Sequence, residues 1–234
     1  MKKAVRTSVV ACVLGMAFLS ISATESHAQV LREILDRMDK YNKAITSLQA
    51  DVTMTKTDST LKIDETSSGT ATYISKNAPQ AKGQMYARIN WTKPAEEQII
   101  VIGDNYELYR PRLNQVIYGK AQQAKNSAGG ASSALAFMNM SRDQLKANYE
   151  IAYLGLESMS GTNVWHLQLT PKTQASYKQA ELWVDANGAP LQAKITERNN
   201  DTTTIRLTSR KENPKLDASI FKPKYPSNVV RQKS

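Results

Sequence analysis

The chain has 234 residues, of which 41% are hydrophobic, with a formal net charge of +10, one cysteine and two histidines. A single cysteine excludes an internal disulfide framework, and so few histidines leave little for a transition-metal site. The lysines are spread along the chain with no run of five or more basic residues, which removes the usual footprint of nucleic-acid binding.

The first 28 residues read as a secretory leader. Lys2, Lys3 and Arg6 form a basic start, and Val9 to Ile21 is an apolar run too short to span a bilayer comfortably. Ser26-His27-Ala28 places small residues at the −3 and −1 positions, so cleavage is expected before Gln29, with Ala23 as a second candidate. Cys12 lies inside the apolar run rather than at a cleavage point, unlike a lipobox cysteine. The expected product is therefore exported and soluble, without a lipid anchor or a disulfide. Its roughly 206 residues are enough for one domain with its own core. Its net charge of +8 fits a solvated surface, or weak attraction to anionic lipid or an acidic partner. Export makes a nucleic-acid partner unexpected.

Val30 to Leu48 is the clearest helix. Leu31, Ile34, Leu35, Met38, Tyr41, Ile45 and Leu48 recur at three- and four-residue steps, and Arg32, Glu33, Asp36, Arg37, Asp39 and Lys40 take the other face. Such a stripe must be covered, and packing on the protein's own sheet is the expected solution. From Ala50 the period changes to two, with Ala50, Val52 and Met54 alternating with polar residues. Leu61 to Ser75 continues as a strand interrupted by Gly69, where a bulge or bend would let a sheet curl.

After an Asn77-Ala78-Pro79 loop, residues 84–120 read as a strongly antiparallel meander. Met85, Ala87, Ile89 and Trp91 alternate with Gln84, Tyr86, Arg88 and Asn90. Ile99 to Ile102 runs to a Gly103-Asp104-Asn105 turn, Tyr106 to Tyr109 returns, and Val116-Ile117-Tyr118 begins another strand. Gln122 to Gly130 then forms a flexible joint. Leu135, Phe137, Met138 and Met140 follow in a small, apolar segment. Ser141 and Gln144 are spaced as a capping box opening a short helix to Asn148. On residues alone this insertion fits a lid and a plain helical crossover equally well.

Strands resume at Tyr149 to Leu156, Val164 to Leu169 and Lys178 to Val184. Asn187-Gly188 signals a hairpin into Leu191, Ala193 and Ile195. A further turn at Asn199-Asn200-Asp201 leads to Thr203 to Ser209, and the tail from Asn213 to Val230 closes the last edge. His166 is expected on the surface, opposite Trp165 and Leu167. Glu96 and Glu97 are adjacent on a strand and point apart, so they read as surface charge rather than paired catalytic acids. No nucleophile elbow or phosphate-cradling loop is present in the sequence, so neither catalysis nor a cofactor is expected.

The stretch RINWTKPAEEQIIVIGDNYELYRPRLNQV resembles the LolA-type periplasmic lipoprotein carriers. Arg88, Pro94, Glu96, Glu97, Tyr109, Pro111, Asn114, Gln115 and Val116 match the family pattern. Ile89 stands where the family usually has Trp, and Trp91 where it usually has Tyr. Lys76-Asn77-Ala78-Pro79 replaces a family Lys-Arg-Pro, so the arginine that latches the family's lid has no clear counterpart, and Arg88 is a distant substitute.

The expected fold is mainly β with α. Ten or eleven antiparallel strands form a highly curved sheet, an open or half barrel, and an N-terminal helix crosses its concave side. The resemblance tips the insertion at about 121–148 toward a lid. It implies non-catalytic carriage of acylated lipoproteins, or of another lipid, between an inner-membrane releasing transporter and an outer-membrane acceptor, by a periplasmic monomer. A lipid- or stress-sensing module on the same fold is the alternative. The residues expected to line the chamber and lid are Met85, Ile89, Trp91, Leu135, Phe137, Met138 and Met140.

Overall fold

The computed structural model describes residues 22–120 and 140–234. Helix α1 spans Ser22–Ala44. It buries Ile34, Leu35 and Met38 completely or nearly so, while Arg37 with Glu33 (2.5 Å) and Lys43 with Asp39 (2.6 Å) pair along its outer face. The helix ends four residues earlier than the apolar stripe suggests. The Asn213 side-chain oxygen accepts from the backbone N–H of Thr46 (2.7 Å) and Ser47 (3.4 Å), which draws the chain out of the helix. Leu48 therefore belongs to the first strand.

Among the described residues twelve strands follow, against the ten or eleven expected. The first six are β1 (Ser47–Asp58), β2 (Ile63–Ile74), β3 (Tyr86–Lys93), β4 (Glu97–Ile102), β5 (Asn105–Arg110) and β6 (Gln115–Lys120). Then come helix α2 (Arg142–Asn148), β7 (Tyr149–Met159), β8 (Thr162–Pro171), β9 (Tyr177–Asp185), β10 (Pro190–Glu197), β11 (Thr202–Glu212) and β12 (Val230–Lys233). In space the strands run β12-β6-β5-β4-β3-β2-β1-β11-β10-β9-β8-β7. Two meanders are thus joined where β1 pairs with β11, with Val52 opposite Leu207 and Met54 opposite Ile205. The edges, β7 and β12, do not meet, so the curved sheet stays open.

Period-two patterning places one row of residues from each strand on the concave face. There α1 and α2 cover Val52, Ile89, Trp91, Leu167, Leu182 and Ile205, which belong to one continuous core. The curl has a local cause at Gly69. The β2–β3 register shifts between Ser68 and Gly69, and a Cβ on Gly69 would lie 2.0 Å from the Asn90 carbonyl oxygen. Only glycine allows the two backbones to approach this closely.

The capping box at α2 forms as expected. Gln144 N–H donates to Ser141 Oγ (3.3 Å), and Ser141 N–H donates to Gln144 Oε1 (2.9 Å). Its Leu145 is completely buried.

The convex face has a second, smaller core. Phe221, from the tail, packs with Ile74, Ala78, Ala81 and Ile100. Arg88 donates from its guanidinium to the Ile220 carbonyl (2.5 Å) and to Asn90 Oδ1 (2.9 Å), so it clasps the tail to the outside of β3. The tail then adds β12 parallel to β6, which closes that edge of the sheet.

His166 is a correction to the sequence reading. It does lie opposite Trp165 and Leu167, but it is only 8% exposed rather than on the surface. Its ring nitrogens lie 2.6 Å from Glu157 Oε1 and 2.9 Å from Glu181 Oε2, and its ring stacks on Trp183 at 4.2 Å. Lys194 approaches the other Glu181 oxygen at 3.2 Å. Side chains from four adjacent strands thus shield one another, which an alternating pattern alone does not reveal.

Candidate ligand chamber

The concave face carries an apolar cleft, open to solvent at its mouth. One wall is Tyr41 in the C-terminal turn of α1 and Ile45 just beyond it. The floor is sheet: Leu48 on β1, Ala71 and Tyr73 on β2, Ala87 and Ile89 on β3, and Leu207 on β11. Paired neighbours explain the hollow. Ala71 sits opposite Ile89, and Tyr73 opposite Ala87, so two alanines leave room where larger side chains would meet α1.

The polar tip of Tyr41 is turned away from this hydrocarbon wall. Arg210 donates to its hydroxyl (2.7 Å), and the hydroxyl donates to Glu212 (3.3 Å). Burial pushes the Tyr41 phenol up to about 12 against the opposing influence of Arg210, so it stays neutral at physiological pH. Arg210 in turn pairs with Glu212 and lies 3.5 Å from Asp185. The cation is held behind the tyrosine and adds no charge to the cleft lining.

A second hollow opens at the opposite ends of the same strands. Met54, Trp91 and Ile99 form its apolar side, and Lys56, Lys93 and the Glu97–Arg110 pair (3.1 Å) form its rim. The concave face therefore offers an apolar interior with ionic groups at one end.

The expected lining residues fall in different places. Ile89 and Trp91 are each 5% exposed on the concave face; Ile89 lines the apolar cleft and Trp91 the second hollow. Met140 is half-buried against the same core, and its carbonyl accepts from the Asn42 amide (2.9 Å). Met85 is half-buried just ahead of β3, where its carbonyl accepts from the Gly103 N–H (2.8 Å), and it lines neither hollow. Leu135, Phe137 and Met138 lie outside the described residues. Tyr41, Ala71, Tyr73 and Leu207 were not anticipated as lining. Their one sequence signal is the helical stripe and the strand alternation to which they belong.

Among the described residues no group of three or more His, Cys, Asp or Glu is placed to hold a metal ion. Nor is any helix among them long and apolar enough to cross a membrane.

Residues 45–224 match the family described as outer membrane lipoprotein carrier protein LolA. The chain belongs to the LolA family. It is 27% identical over 207 residues to the outer-membrane lipoprotein carrier protein of Proteus mirabilis (strain HI4320), covering 87% of this chain and 88% of that protein. In fold, this LolA-family chain is similar to an uncharacterized conserved protein from Thermus thermophilus, with a TM-score of 0.55 and 16% identity. That likeness covers 88% of this chain and all of the other. MucB is similar to the same degree, with a TM-score of 0.55 and 15% identity over 86% of this chain and 66% of its own. At these identities the two structures speak for the fold alone. Family and fold both agree with the resemblance carried by Arg88 to Val116.

Proposed function

We propose that this LolA-family protein is a periplasmic carrier that holds the acyl chains of lipoproteins in its concave chamber and ferries them from the inner to the outer membrane without chemical change. The observation that carries this reading is the apolar cleft between α1 and strands β1–β3, with Ala71 and Ala87 at its floor. Acyl chains have no polar groups along their length, so recognition rests on volume and exclusion of water. Each buried methylene contributes about 0.8 kcal/mol, which lets a chain of ordinary length be held firmly yet released when an acceptor offers a better apolar site. On this reading residues 1–28 are a removed leader, and a releasing transporter and an acceptor stand at the two membranes.

Filling the cleft tests the proposal. Ala71→Trp, with Ala87→Leu as a milder filler, is expected to weaken uptake of a fluorescent palmitoyl probe at least tenfold while the far-ultraviolet circular dichroism stays native. A tenfold loss corresponds to about 1.4 kcal/mol, or roughly two methylenes denied burial. Unchanged uptake in both folded variants would remove the cleft from the binding site.

A further inference from the structure

Tyr106 carries a buried hydroxyl that no described part of the fold satisfies. The residue is 1% exposed near the start of β5, and its side-chain oxygen has no hydrogen-bond partner among the described residues. It belongs to the concave core with Ile89, Ile99 and Leu108. Four other fully or partly buried tyrosines are treated differently. Tyr41 is held by Arg210, Tyr225 donates to Glu107 (2.7 Å), and Tyr149 and Tyr177 bond each other (2.7 Å). Leaving one phenol unmet in an apolar chamber is costly, and phenylalanine would fill the same volume without that cost. A guest that enters the chamber can supply the missing acceptor.

Its place in the sheet limits what that guest is. Tyr73 pairs with Ala87, Ala87 with Val101, and Val101 with Tyr106, so the four form one row across β2 to β5 on the concave face. Tyr73 and Ala87 line the apolar cleft. Tyr106 lies two strands beyond Ala87, about 10 Å across the sheet. A guest in the cleft would extend along this row toward β5 to bring its carbonyl end to the phenol.

We propose that the Tyr106 hydroxyl donates a hydrogen bond to the ester or amide carbonyl at the head of a bound acyl chain, and so distinguishes acyl groups from bare alkyl chains. This rests on the acyl-carrier reading above and adds to it a polar determinant of ligand class.

The test uses two lipids that differ only in that carbonyl, 1-palmitoylglycerol and 1-O-hexadecylglycerol, each displacing an apolar dye from the full mature protein. Wild type is expected to prefer the ester by about five- to tenfold, the worth of one hydrogen bond in a water-excluded site. Tyr106→Phe is expected to erase that preference through loss of ester affinity, and to melt at or above the wild-type temperature when ligand-free. Equal affinities in wild type, a preference that survives in Tyr106→Phe, or a lower melting temperature of the variant would overturn the assignment. If wild type displaces dye with neither lipid, the acyl-carrier reading itself fails, an outcome distinct from the loss of the carbonyl preference alone.

Discussion

Gly188 lies against the backbone of Arg37 so closely that a Cβ on the glycine would come within 2.3 Å of the Arg37 carbonyl carbon and oxygen. The β9–β10 turn is thereby pressed onto α1. Arg37 strengthens the clasp from the other side, donating to the Ala186 carbonyl (2.7 Å) and lying 5.4 Å from the centroid of the Trp165 ring. This contact sets how far α1 stands off the sheet, and hence how wide the cleft beneath its C-terminal turn is.

Gly188 has φ +87°, so Gly188→Ala meets both the left-handed backbone penalty and the clash with α1. The backbone penalty alone is about 1–2 kcal/mol, equivalent to roughly 2–8 °C of melting temperature in a domain of this size. Arg37→Ala should cost about 1 kcal/mol, the ordinary worth of its hydrogen bond. A Gly188→Ala protein melting within about a degree of wild type would show that the turn does not hold the helix.

Ile89→Asp and Trp91→Asp each place a charge on the buried concave face without a partner. That costs several kcal/mol, comparable with the total stability of many domains. Both variants should lose cooperative thermal unfolding or melt far below wild type, as followed by circular dichroism. Wild-type melting in both would place these side chains on the other face.

His166→Leu should destabilise the convex network of β7 to β10. Glu181 keeps Lys194 (3.2 Å) and Gln179 (3.3 Å) but loses its contact with the imidazole in a site only 11% exposed. A buried polar group left short of a partner costs about 1–3 kcal/mol, or roughly 2–12 °C here. Differential scanning calorimetry that finds no decrease would mean the stack on Trp183, which leucine partly preserves, dominates the site.

Glu157 gives the same network a pH dependence. The Trp183 indole N–H donates to its carboxylate (2.8 Å), and this bond, followed by His166, holds the Glu157 pKa below its ordinary 4.5. A depressed carboxylate pKa stabilises the fold above 4.5, and the contribution is lost as pH falls through the lower folded value. Wild type should therefore melt above Glu157→Gln at pH 7, with the gap closing as the pH falls below 4.5. The side chain is about half exposed, so the gap should be small. A gap that is constant or widens in acid would contradict the assignment.

What the sequence revealed was mainly what periodicity and turn chemistry encode. The Ile89/Trp91 face, the Ser141–Gln144 box and the Asn187-Gly188 turn all depend on neighbours within a few residues, and all were legible. The end of α1 was not, because Asn213 stops it from 167 residues away. Strand β12 was missed for a related reason. All four of its residues are exposed, so no alternation marks them, and only pairing with β6 makes them a strand. The cleft was only half legible. Strand alternation identifies Ile89 as inward-facing, but it does not say that Ala71 and Ala87 become neighbours beneath Tyr41. His166 was expected on the surface, but side chains from neighbouring strands cover it, which alternation along its own strand does not show.

The central claim, that the chamber holds the acyl chains of lipoproteins, is tested most directly by purifying the protein from the periplasm under native conditions and identifying what it carries by mass spectrometry. The account predicts a co-purifying acylated lipoprotein, present in wild type and depleted in Ala71→Trp. Wild-type protein that carries only free lipid, or an empty chamber with a regulatory protein bound elsewhere, would contradict it.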